Sequence, residues 1–341
     1  MFKKTLMVSL SIITLTLAAC DEADFNNENV PVTSSETDEN TEQNNSNADE
    51  ELILPNNPLQ KGEQGEEVKK LQQILKKLDY QIDITGHYDE ETTWAVTDFQ
   101  LQIDGLDITG LYDKKTKLAL EAQFHSDNPI QPGEGLTFEK NSKTEEGKVI
   151  TGNPYDVLVL VNKEHALPEG FTPEDLVIPD VRFPFTEDLP KKQMRKVAAD
   201  AMKKMFEAAD KENLELFAQS GFRSFERQES IFAANVEKNG EEAANKYSAR
   251  PGESEHQSGL TMDVTNADVG FDLIIEFGET PEGKWLQEHA SEYGFIIRCP
   301  EGKEDITGYQ YEPWHLRYVG EKAAKEIMEK GITLEEYLEE L

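Results

Sequence analysis

Residues 58 to about 124 carry one short pattern twice, and that repeat limits what they can build. Gly86-His87-Tyr88-Asp89-Glu90-Glu91-Thr92 recurs as Gly110-Leu111-Tyr112-Asp113-Lys114-Lys115-Thr116. In each copy the glycine permits a turn, the aspartate stands where an N-cap accepts backbone N–H bonds, and a run with an apolar face follows. Ahead of both, Val68, Leu71, Leu75 and Leu78 recur at the spacing of an amphipathic helix. Three short helices sharing one small core is the predicted assembly.

The segments on either side read differently. Asp21 to Asn57 is rich in Glu, Asp, Asn, Ser and Thr and contains no Lys or Arg. Such a stretch cannot bury enough apolar surface to fold, so residues 20–57 are expected to form an extended acidic tether. Before it, Lys3 and Lys4 precede an apolar run, Leu6 to Leu17, that is short for a bilayer span and ends in Leu17-Ala18-Ala19-Cys20. This resembles a bacterial lipobox. The resemblance implies a signal peptide over 1–19, lipidation at Cys20 and a protein held outside the membrane by its anchor alone. Residues 125–152, with Pro129 and Pro132-Gly133, read as a linker.

Composition narrows the partners. The formal charge of the 341-residue chain is −34, a field that repels nucleic acid and anionic lipid. The only cysteines are Cys20 and Cys299. With Cys20 lipidated no internal disulfide is possible, so stability rests on packed cores.

From about Asn153 to the C-terminus, strands and helices alternate. Val157 to Val161 is a predicted buried strand, Lys191 to Asp210 a helix, and Leu214 to Gln219 a half-buried strand that delivers Arg223 at its end. A helix near Gly320 to Lys330 ends at Gly331, and Thr333-x-x-Glu336 has the spacing of a capping box. Without regular βαβ units, this order predicts an α+β domain with an antiparallel sheet flanked by helices.

The chemistry sits in Ser254-Glu255-His256-Gln257-Ser258-Gly259-Leu260-Thr261-Met262-Asp263 and in Glu312-Pro313-Trp314-His315. Two imidazoles and a carboxylate form the inventory of a hydrolytic zinc site, in which three protein ligands leave a fourth position for water. Each residue alone has a plainer reading, as a surface histidine or a structural ion pair, and the combination carries the weight. Glu312 is placed to take a proton from water and pass it to a leaving amine, and Arg223 to stabilise a developing oxyanion.

Two resemblances sharpen this. Gly65, Val68, Leu71-Gln72, Leu75, the two Gly-x-Tyr-Asp-x-x-Thr units and Phe99-Gln100 resemble the peptidoglycan-binding domain of cell-wall hydrolases. Ser-x-His-x-x-Gly-x-x-x-Asp followed by Glu-x-Trp-His resembles the zinc D-alanyl-D-alanine carboxypeptidases related to VanY and the L,D-carboxypeptidases of the same DD-peptidase/hedgehog-like fold. Over residues 153–341 this implies His256, Asp263 and His315 as ligands of one Zn2+. It also implies Glu312 as general base, Arg223 on the substrate carbonyl, and Gln228 and Ser254 around the terminal residue. Peptidoglycan stem peptides are the implied substrate, with D,D cleavage expected first and L,D cleavage of a tetrapeptide as the rival. A wall-binding lipoprotein without activity is the alternative of a different class. The family's Ser-Gly-Tyr-Arg-Ser reads Ser220-Gly221-Phe222-Arg223-Ser224 here, Thr261 replaces an alanine, and Cys299 stands where a tyrosine is frequent.

Overall fold

A computed structural model describes residues 53–341, apart from Glu146. The predicted signal peptide, Cys20 and residues 20–52 of the predicted tether lie outside the described residues. No helix among the described residues is long and apolar enough to cross a membrane.

The repeat region forms three helices, α1 (Glu66–Lys77), α2 (Glu90–Leu101) and α3 (Lys114–Gln123). Val68, Leu71, Ile74 and Leu75 of α1 are buried with Phe99 and Leu120 in one core. Asp89 accepts from the Thr92 amide at 2.9 Å and Asp113 from the Thr116 amide at 2.8 Å, so both repeats are capped as their spacing predicts. A glutamine from the preceding helix clasps each turn. Gln72 accepts from Gly86 N and donates to His87 O, and Gln100 accepts from Gly110 N and donates to Leu111 O. Gly86 and Gly110 both have positive φ, at 75° and 73°. A side chain at Gly110 would also press into Thr93 and Thr97.

The flanks of this module are more involved than their composition predicts. Leu54 is buried in its core, and the Tyr112 hydroxyl donates to Pro55 O at 2.7 Å. The linker folds back on α2. The buried Asp98 carboxylate collects the amides of Gly133 and Leu136, and Trp94 donates to Leu136 O. A buried carboxylate left without donors would be costly, and these backbone amides supply them.

Beyond a few two-residue strands and a single helical turn at Glu304–Thr307, the remaining chain forms α4 (Lys196–Lys211), β1 (Phe217–Ser220), α5 (Phe225–Asn239), α6 (Glu241–Tyr247), β2 (Thr261–Thr265), α7 (Pro281–His289), β3 (Phe295–Cys299), β4 (Glu312–Tyr318), α8 (Glu321–Lys330) and α9 (Leu334–Glu339). The strands make one antiparallel sheet in the order β1-β2-β4-β3. Residues alternate across it. Met262, Val264 and Leu316 join Met202, Met205 and Phe206 of α4 and Ile327 of α8 in the core, while Asp263, His315 and Arg317 take the opposite face. Gly331 is left-handed and Thr333 closes a full capping box with Glu336, as the spacing predicts.

Two predicted elements differ. Val157–Val161 is buried except for the half-buried Leu160, and is no strand; the Val157 and Val159 carbonyls accept from the Arg317 guanidinium, at 3.0 and 2.7 Å. The helix predicted from Lys191 begins only at Lys196. Met194–Arg195 instead pairs antiparallel with Leu176–Val177, and the carbonyls of Lys191 and Gln193 accept from Gly221 and Phe222. That pairing brings Arg195 to the seam between module and sheet domain. Arg195 has no exposed surface; its Nη1 donates to Tyr155 O at 2.8 Å and its Nη2 to Ile108 O in the module. Val157 N to Thr109 O and Gln60 to the Tyr337 hydroxyl cross the same seam.

Candidate metal centre

Three elements deliver the predicted ligands. Asp263 and His315 are directly opposed across β2 and β4. His256 rides on a single 3-10 turn, Glu255–Ser258, which ends at Gly259 with φ 69°. A Cβ there would come within 2.8 Å of Arg195 Cγ, so both backbone and space call for glycine. Donor atoms of His256, Asp263 and His315 lie within 4.8 Å of one another, all three side chains buried. The imidazoles meet edge to face, with ring centroids 5.2 Å apart.

Hydrogen bonds assign the ring nitrogens. His256 Nδ1 lies 2.8 Å from Gly221 O, which can only accept, so Nδ1 carries the proton. Its Nε2 then turns a lone pair toward Asp263, 3.5 Å away. His315 directs Nδ1 at Asp263 Oδ1, 2.9 Å away, so without a metal this nitrogen also carries a proton, which a bound ion would replace. The donor set, two nitrogens and a carboxylate oxygen, fits a zinc ion, which a site of three protein ligands would hold with a position left for water.

Electrostatics suit that fit directly at His256, whereas at His315 a metal would have to displace a proton. Burial and the nearby Arg223 push His256 down to about 3, so it is neutral at physiological pH, the form a metal would need. Burial opposes charge on His315, but the carboxylates of Asp263 and Glu255 overcome it and hold its pKa up to about 10. Burial likewise works against the Asp263 anion, yet His256 and His315 keep its pKa below the usual value. Burial pushes the pKa of Glu312 up, in the direction a general base requires.

The cluster lines a cavity of about 260 Å3. Arg223 enters from the turn after β1; its Nη1 donates to Gln228 Oε1 at 2.9 Å, and Gln228 donates to Ala249 O at 2.6 Å. Ser224 caps α5 by accepting from the Arg227 amide, which fixes the turn that carries Arg223. Ser254, Glu312 and Trp314 complete the walls, so the candidate ligands, base and substrate-contacting residues named from sequence share one cavity. Cys299 lines it too; burial raises its thiol pKa and keeps it protonated, which disfavours a thiol nucleophile.

Sequence reasoning passed over Glu255, Arg298, Arg317 and Tyr309. Glu255 accepts from Arg298 Nε at 2.8 Å and Arg317 Nη1 at 2.6 Å, and Arg298 also pairs with Glu335. Tyr309 lines the cavity with the Lys163 ammonium 4.6 Å from its ring centre. The one available signal was Glu255 standing next to a ligand inside the motif.

Residues 191–321 match a family described as "VanY: D-alanyl-D-alanine carboxypeptidase", and residues 64–120 match "Putative peptidoglycan binding domain". The chain is 50% identical over 256 residues to "Putative carboxypeptidase YodJ" of Bacillus subtilis (strain 168), covering 75% of this chain and 89% of that one. It is 33% identical over 191 residues to "Bifunctional D-Ala-D-Ala dipeptidase and D-Ala-D-Ala carboxypeptidase VanXYC" of Enterococcus gallinarum, covering 53% and 93%. A solved structure described as "Structure of the LdcB LD-carboxypeptidase reveals the molecular basis of peptidoglycan recognition" is 54% identical, with a TM-score of 0.58 over 60% of this chain and 95% of that one.

Proposed function

Since the chain belongs to the VanY family of carboxypeptidases and carries a peptidoglycan-binding domain, we propose that it releases the C-terminal D-alanine of peptidoglycan stem peptides at a zinc centre. One observation carries the reading: His256, Asp263 and His315 converge within 4.8 Å on the wall of a cavity that also holds Glu312 and Arg223. Zinc bound there would supply Lewis acidity, polarising a carbonyl and acidifying water. The chain's own residues do the rest. Gln228 holds the Arg223 guanidinium, whose remaining N–H groups face the cavity as donors for the scissile carbonyl oxygen as it gains charge. Glu312 takes the proton from the attacking water and returns it to the amine that leaves. Ser254 and Gln228 flank the space for the terminal residue.

The 54% identity to an L,D-carboxypeptidase favours the bond that ends a tetrapeptide stem. The D,D bond of the pentapeptide is the second reading, supported by the 33% identical relative with D-Ala-D-Ala activity. Incubation with defined tetrapeptide and pentapeptide muropeptides, with and without a chelator, separates the two. Chelator-sensitive loss of alanine from the tetrapeptide supports the L,D reading, and loss from the pentapeptide alone supports the D,D one. No loss from either overturns the catalytic proposal in favour of a non-catalytic wall-binding protein.

The location belongs to the same proposal: lipidation at Cys20 would hold the enzyme outside the membrane, facing the wall. Labelling with radioactive palmitate in a bacterial host is expected for the parent and absent in Cys20→Ala. An unlabelled parent refutes the anchor.

A further inference from the structure

Glu255 is a buried carboxylate whose two oxygens meet different surroundings. One of them, Oε1, takes both the Arg298 and the Arg317 guanidinium. The other oxygen, Oε2, is fully buried and has no hydrogen-bond partner. It faces Nε2 of His315 at 3.5 Å. The opposite nitrogen of that ring, Nδ1, is the one turned to Asp263 and the ligand cluster.

The geometry points to Glu255 as a positioning residue for the metal site: with a metal on Nδ1, its otherwise unpartnered Oε2 is the acceptor placed to take the Nε2 proton of His315, fixing the tautomer in which Nδ1 is the donor to zinc. This inference rests on the zinc-centre reading above. A metal-bound imidazole has one proton to place, and the partner that takes it sets both ring rotation and ligand basicity. The two arginines provide the means. They pin the carboxylate from behind, through the oxygen that does not face the ring, so its direction is set without competition for Oε2. Arg317 is itself anchored by the Val157 and Val159 carbonyls, so the support reaches into the core of the domain. Glu255 touches neither the substrate nor the reacting atoms in this scheme; it acts through His315.

The test uses the full chain loaded with zinc. Long-range nitrogen–proton correlation spectra of the parent protein are expected to show the His315 proton on Nε2 and the metal on Nδ1. Zinc affinity, read by competition with a chromophoric chelator, is expected to fall about 10- to 100-fold in Glu255→Gln. Glu335→Gln weakens the same Arg298 cluster without facing His315, and its affinity is expected to stay within about twofold of the parent. Metal found on Nε2 overturns the proposal, as does an unchanged affinity in Glu255→Gln or an equal loss in both variants. Should Glu255→Gln fail to fold, the spectrum of the parent still decides. A parent that binds no zinc overturns the metal-centre reading itself, a result distinct from a parent that binds zinc through the other nitrogen.

Discussion

Arg195→Met should unfasten the seam between the wall-binding module and the sheet domain. Methionine keeps much of the aliphatic stem but removes every donor. Lost are two bonds from Nε to Asp175, at 3.0 and 3.2 Å, one from Nη1 to Tyr155 O at 2.8 Å, and one from Nη2 to Ile108 O. Removing one partner of a buried ion pair costs about 3–5 kcal/mol, chiefly through the charge left behind. The Asp175 side chain is 13% exposed and so recovers some hydration, which places the figure near the lower end, about 3 kcal/mol. For a large cooperative unit each kcal/mol moves Tm by roughly 2–4 °C, giving a fall of about 6–12 °C. Scanning calorimetry of the full chain is the assay. Because the seam is also tied by Val157 to Thr109 and Gln60 to Tyr337, module and sheet domain should unfold in one transition that shifts as a whole. Two separate transitions in the parent protein, or a shift below about 2 °C in the variant, would refute the reasoning.

Three further outcomes are expected. Glu312→Gln should retain zinc but lose about 10²–10⁴ in kcat, measured by alanine release; full activity would remove Glu312 from the base role. Metal-free protein should lose stability in alkali. The His315 pKa is raised from 6.5 to about 10 in the fold, so its contribution is complete below about 6.5 and lost as pH rises through about 10. A flat Tm of the chelated protein across that window counts against the Asp263–His315–Glu255 arrangement. Gly259→Ala should cost at least about 1–3 kcal/mol in denaturant unfolding, from positive φ and the close approach of Arg195; an unperturbed midpoint would contradict the crowding.

The features readable from sequence are those whose causes are local. A glycine, a capping aspartate and a helical run lie within seven residues of each other, so the repeats at Gly86 and Gly110 declare themselves. The motif from Ser254 to Asp263 is likewise short, and its resemblance to a family supplied the rest of the cavity, from Arg223 to His315. Features set by distant partners did not show. Val157–Val161 has the composition of a strand, yet a guanidinium far along the chain takes its carbonyls. The linker has the composition of a loose segment, yet the buried Asp98 needs its amides. Glu255 stayed hidden for the same reason: a lone glutamate reads as solvated until Arg298 and Arg317 are seen around it.

Asp263 and His315 face each other because β2 and β4 pair in one particular register. Side chains along a strand alternate between faces, so a slip of one residue would send one ligand into the hydrophobic layer beside Met262 and Leu316. The alignment of this triad is therefore written in strand length as much as in residue identity. Deleting one residue within β4 could silence the site with every ligand still present, whereas lengthening the exposed turn around Asp268 would leave the alignment untouched. A relative could thus keep the whole motif in its sequence and still be unable to assemble it.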